Sequence, residues 1–169
     1  MAQRATRKAA KKTLKRRVAR RRTVRSGPSK RARVLAQLWA MYDAYKNPKK
    51  NEAQQIATIF APIADEAVLI EHASPARLEW GGRYVGRQAW LDFFAKVNDA
   101  LHHSAYECQD IQSAGDWVFA WGYFDVKCRQ SDRTSRLDWQ HRIRLSKGKV
   151  VELHEFYDSM QVGVDIGRV

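Results

Sequence analysis

His141-Arg142-Ile143-Arg144-Leu145-Ser146-Lys147-Gly148-Lys149-Val150-Val151-Glu152-Leu153-His154-Glu155-Phe156-Tyr157-Asp158 reads as two β-strands joined by a tight turn. Ser146-Lys147-Gly148-Lys149 supplies the turn, and Gly148 can take the positive φ that hairpin turns favour. Side chains alternate across a strand, so Trp139, His141, Ile143 and Leu145 share one face, with Asp138, Gln140, Arg142 and Arg144 on the other. In the second strand Val151, Leu153, Glu155 and Tyr157 alternate with Val150, Glu152, His154, Phe156 and Asp158. The faces bearing Arg142, Arg144, Glu152 and His154 read as wet. The opposite faces then point inward and carry His141, Glu155 and Tyr157 among apolar neighbours. Polar groups on a buried face need hydrogen-bond partners, or a pocket that holds water or ligand.

The long strand before the hairpin, Trp117–Arg129, is apolar on both faces. Trp117, Phe119, Trp121, Tyr123 and Asp125 share one face; Val118, Ala120, Gly122, Phe124 and Val126 share the other. Such a strand needs cover on both sides: helices on one, and a partner subunit on the other. A homodimer is the simplest closed arrangement.

Working back, a strand at about 104–113 turns at Ala114-Gly115-Asp116. A helix spans about Arg87–Leu101, with Trp90, Leu91, Phe94, Val97 and Leu101 inward. Gly81-Gly82 reads as a bend, and Asp65 to about His72 as a strand. Asn51 caps a helix bearing Ile56, Ile59, Phe60 and Ile63. Val34, Leu35, Leu38, Trp39, Tyr42 and Tyr45 mark an amphipathic first helix that ends at Asn47-Pro48.

Charge divides the chain. Residues 1–33 hold 15 of the 31 Lys/Arg and no Asp or Glu, whereas residues 34–169 hold 16 Lys/Arg against 18 acidic residues. The first segment is a basic arm that reads as disordered, because its charges repel and it has little apolar surface to bury. Arg16, Arg17, Arg20, Arg21 and Arg22 are its candidate polyanion contacts. Nucleic-acid phosphates, an anionic membrane surface, organelle targeting and a simple solvated tail all fit this composition. No aromatic residue is interleaved to stack on bases. No apolar run approaches the roughly 18 residues of a membrane span, and no secretory signal is present, so the expected location is cytoplasmic. Cys108 and Cys128 lack metal-ligand spacing and read as buried thiols. Adjacent His102 and His103 would diverge by about 100° on a helix, so no metal site is expected. There is no phosphate-binding Gly-rich loop and no GxSxG elbow.

The order helix, helix, strand, helix, then antiparallel strands accompanies a set of motifs. These are Gly81-Gly82-Arg83-Tyr84-Val85-Gly86-Arg87-Gln88-Ala89 with Phe93-Phe94, Gly115-Asp116-x-Val118 with Gly122, and His141-x-x-x-Leu145-x-x-Gly148-Lys149-Val150 with Glu155-Phe156-Tyr157-Asp158. The set resembles the SnoaL-like branch, related to polyketide cyclases and ketosteroid isomerases, of the nuclear transport factor 2-like superfamily. That resemblance implies an α+β fold: a cone-shaped, curved antiparallel sheet wrapped by three helices, as in the cystatin-like roll. It assigns 34–161 to the domain and 162–169 to a C-terminal tail. It also implies an apolar pocket for a small polyketide- or steroid-like carbonyl compound, worked by acid/base chemistry without a cofactor. His141, Glu155 and Tyr157 are then the candidate catalytic groups, and Trp39, Tyr42, Tyr45, Trp80, Phe94 and Trp139 the candidate substrate contacts. A non-enzymatic binding domain whose arm contacts nucleic acid is the competing reading.

Overall fold

A computed structural model describes residues 28–46 and 51–168. The elements in chain order are α1 (Lys30–Lys46), α2 (Glu52–Phe60), β1 (Ile63–Glu71), β2 (Gly82–Val85), α3 (Gly86–Ala100), β3 (Leu101–Ala114), β4 (Trp117–Cys128), β5 (Thr134–Ser146), β6 (Lys149–Tyr157) and α4 (Ser159–Asp165). Arg16, Arg17, Arg20, Arg21 and Arg22 of the basic arm lie outside the described residues. No helix among the described residues is long and apolar enough to cross a membrane.

The six strands form one sheet in the order β2-β1-β6-β5-β4-β3. Every pairing is antiparallel except β1 with β6, which is parallel and sets Leu69 beside Leu153 and Glu71 beside Glu155. Buried residues alternate along β4 and β5, so the sheet has one inner face: Val118, Ala120, Phe124 and Val126 from β4, and Leu137, Trp139, His141 and Ile143 from β5. The helices cover this face. The Trp90 indole N–H of α3 donates to the Ala67 carbonyl of β1 at 3.1 Å. Gln55 of α2 donates to the Ala44 carbonyl of α1 at 2.9 Å. Gly122 lies under Trp139, where a Cβ would stand 1.7 Å from the Glu107 carbonyl oxygen, so β3 and β4 approach as closely as they do only because this residue has no side chain.

The hairpin turn takes positive φ at both central residues, 50° at Lys147 and 79° at Gly148, which matches the twist of the flanking strands. Pairing then shifts between Arg144 and Leu145: Leu145 faces Val150, while Arg144 faces Glu152. The extra residue is Val151, so Val150 rather than Val151 enters the core at this end of β6. The expected wet face of β6 also needs correction. His154 is buried, because its ring stacks on His72, bonds it at 2.9 Å and bonds Glu152 Oε1 at 2.8 Å.

Further differences from expectation are local. The first helix starts at Lys30, four residues into what reads as the arm, where Ser29 Oγ accepts the Ala32 N–H at 3.1 Å. Gly82 begins an edge strand rather than a bend. His102 and His103 lie on β3, not on a helix. A fourth helix, α4, occupies the expected tail; Asp158 caps it by accepting the Gln161 N–H at 3.0 Å, and Val162 is buried beneath it. Both cysteines are free; Cys128 is buried and Cys108 half-buried.

Candidate functional site

Between the helices and the inner sheet face lies a cavity of about 550 Å3. Met41, Ile59, Leu69, Trp90, Phe94 and Leu153 supply apolar wall, and Tyr45, Tyr106 and Tyr157 border it. His141 and Glu155 are polar groups of its sheet wall, brought opposite each other as paired residues of β5 and β6; His103 and Ser104 of β3 also line it.

His141 is 5% exposed. Its Nδ1 is 2.8 Å from the Tyr42 hydroxyl, and its ring leans on Trp139 at 4.7 Å between centroids. The structure gives the buried Tyr42 hydroxyl this one hydrogen bond, and in the tautomer with a bare Nδ1 the hydroxyl proton is donated there. Nε2 then carries the ring hydrogen. It is buried with no hydrogen-bond partner, and Glu155 Oε1 stands 3.6 Å away, too far for a hydrogen bond. An unpartnered donor beside a carboxylate at a cavity wall is a place for a ligand oxygen.

Burial dominates the electrostatics of the wall. It raises the hydroxyl pKa of Tyr42, Tyr45 and Tyr106, with Glu155 adding to each shift. Burial likewise raises Tyr157, helped by Glu71 and Glu155. These hydroxyls stay neutral donors and acceptors. Burial lowers His103, against the pull of Glu155.

The sequence-derived candidates separate into three groups. His141, Glu155, Tyr157, Tyr45, Trp80 and Phe94 border the cavity together. Tyr42 and Trp139 stand behind them: both are buried, their rings stack at 5.2 Å, and they orient His141 rather than touch the cavity. Trp39 is a correction. It is 43% exposed, because Leu38, Met41 and Tyr42 take the buried stripe of α1 and leave Trp39 turned to solvent. Trp80 is a contact of a further kind, since its indole N–H donates to the Tyr157 hydroxyl at 2.8 Å and fixes that side chain.

Sequence reading missed Glu71. It ends β1, is 3% exposed, and is Cα partner to Glu155. The available signal was an acidic residue in phase with Leu69, yet both faces of Val68-Leu69-Ile70 are apolar, so alternation did not show which way it points.

Residues 38–153 match the SnoaL-like domain family. The chain is similar to a nuclear transport factor 2-like protein of unknown function from Burkholderia pseudomallei, with 15% identity over 79% of this chain and 96% of that one, at a TM-score of 0.66. It is similar to TerC co-crystallised with polyporic acid, with 17% identity over 79% and 98% of the chains and a TM-score of 0.66. It is also similar to a candidate polyketide cyclase from Xanthomonas campestris pv. campestris, with 17% identity over 82% and 99% and a TM-score of 0.61. At these identities the likeness is one of fold. No curated protein matches the chain. With a family match over residues 38–153, an α+β sheet-and-helix cone and the motif set in place, the chain belongs to the SnoaL-like domain family.

Proposed function

We propose that the cavity binds a small apolar carbonyl compound of polyketide- or steroid-like character, and that His141 and Glu155 perform acid/base chemistry on it without a cofactor. The observation that carries this reading is the unpartnered His141 Nε2 beside Glu155 at the wall of a 550 Å3 cavity. A ligand carbonyl oxygen accepts the Nε2 hydrogen. Glu155 takes a proton from the adjacent carbon, and the C–H electron pair moves into an enolate whose oxygen His141 stabilises. Glu155 then returns the proton at the same or a conjugated carbon, which is isomerase chemistry; attack of the enolate carbon on a second carbonyl is cyclase chemistry. The solved relatives, one crystallised with polyporic acid and one a candidate polyketide cyclase, agree with a small organic ligand.

The test is hydrogen–deuterium exchange at the α-carbon of β-tetralone in heavy water, followed by proton NMR. Wild-type protein accelerates exchange over buffer, and Glu155→Gln lowers the acceleration by about 100-fold or more, in the range of a lost general base. Exchange equal in both proteins overturns the reading.

The competing reading is a non-enzymatic binding domain that works through its arm. With 15 Lys/Arg and no acidic residue in 1–33, we read it as a contact for nucleic acid or another polyanion. Full-length protein is then retained on heparin at low salt, and a chain starting at residue 34 is not; equal elution removes the reading.

A further inference from the structure

We infer that Glu71 and Glu155 form a carboxyl pair holding one proton between them, that the proton resides on Glu71, and that Glu71 thereby acts as a positioning residue that keeps Glu155 the one charged member of the pair. The role given to Glu155 rests on the function proposed above; the proton count does not.

The pairing is set by topology. Parallel β1 and β6 put Glu71 and Glu155 in register, and both side chains are in phase with inner-face residues, Leu69 on one strand and Leu153 on the other. Two like charges this close cannot both persist in a buried setting without a cation. Among the described residues, no Lys or Arg forms an ion pair with either carboxyl; the one basic partner is His141, and it belongs to Glu155. The other titratable groups near the pair are Tyr157 on β6, whose hydroxyl acts on both carboxyls, Tyr42 and Tyr45 on α1, and Tyr106 and His103 on β3. None of these supplies a lasting positive charge.

Burial decides which carboxyl keeps the proton. Glu71 is 3% exposed, whereas the Glu155 side chain is 14% exposed and faces the cavity and His141. Glu71 Oε1 accepts the Ala73 N–H at 2.9 Å, and Oε2 is buried without a partner. The Ala73 N–H and the Tyr157 hydroxyl favour the ionised form, but burial and the neighbouring Glu155 outweigh them, and with Oε2 lacking a close partner the neutral acid is the better tolerated form. The same two causes, burial first and Glu155 second, push the Glu71 carboxyl up to about 9.

Carbon-13 NMR of glutamate side-chain carboxyls in the full-length chain tests this directly, titrated from about pH 4 to pH 10 so as to span the ordinary carboxyl range and the raised one. One carboxyl is expected to keep its protonated shift at neutral pH and to titrate only above about pH 8. Glu71→Gln removes that signal. A wild-type spectrum in which every glutamate is ionised by neutral pH overturns the proposal, and it needs no variant to fold. A late-titrating signal that vanishes in Glu155→Gln and survives in Glu71→Gln overturns it too. If the late signal is present but β-tetralone exchange is not accelerated, the carboxyl pair stands and the catalytic reading falls.

Discussion

A buried glutamic acid with a raised pKa makes stability depend on pH in a fixed direction. Glu71 goes from about 4.5 when unfolded to about 9 when folded. Between those values the native state binds more proton than the unfolded state, so this group's contribution to stability falls as pH rises through the window and is flat outside it. The largest slope is about 1.4 kcal/mol per pH unit. Urea unfolding of Glu71→Gln across the same window should lack this slope while wild type shows it; parallel curves would contradict the assignment. At this scale His141, Glu155 and Tyr157 were legible, because strict alternation in a hairpin sorts side chains by face. Glu71 was not: its partner strand lies more than 80 residues on in the chain, and nothing local records that pairing. Trp39 was misplaced because it falls at the margin of a broad helical stripe, where a hydrophobic ring can turn either way.

Elements are held by short-range geometry that is open to single substitutions. Gly148 sits at φ 79°, so Gly148→Ala should destabilise the protein by about 1–2 kcal/mol, measured as a lower thermal midpoint. No change would mean that the turn relaxes to another form. Every strand but β2 and the three longer helices were legible from period and capping residues. The Val151 bulge was not, since one extra residue leaves no mark in an apolar run. The parallel β1–β6 pairing and the short helix Ser159–Asp165 were also hidden. One depends on contacts distant in sequence; the other has too few turns to show a period.

The molecule as a whole is a cone with a cavity inside and an aromatic rail outside. Trp117, Phe119, Trp121 and Tyr123 run along the outer face of β4 and remain only half-buried. We read this rail as the contact face of a homodimer. Trp121→Arg should convert a dimer to a monomer in sedimentation velocity, with the far-ultraviolet circular dichroism unchanged; a monomeric wild type would refute it. The two-sided apolarity of β4 was plain in the sequence, and the cone followed from resemblance in motif order. The place of Glu71 behind the cavity wall did not follow from either, because the parallel pairing of β1 with β6 puts it there.

On the function proposed for it, the cavity sets a ligand oxygen against His141 beside Glu155. A crystal structure of the protein with β-naphthol, a stable enol of suitable size, tests it most directly. The naphthol is expected inside the cone, with its oxygen about 2.7–3.2 Å from His141 Nε2. Naphthol bound only elsewhere, or a cavity closed by its own side chains, would contradict it.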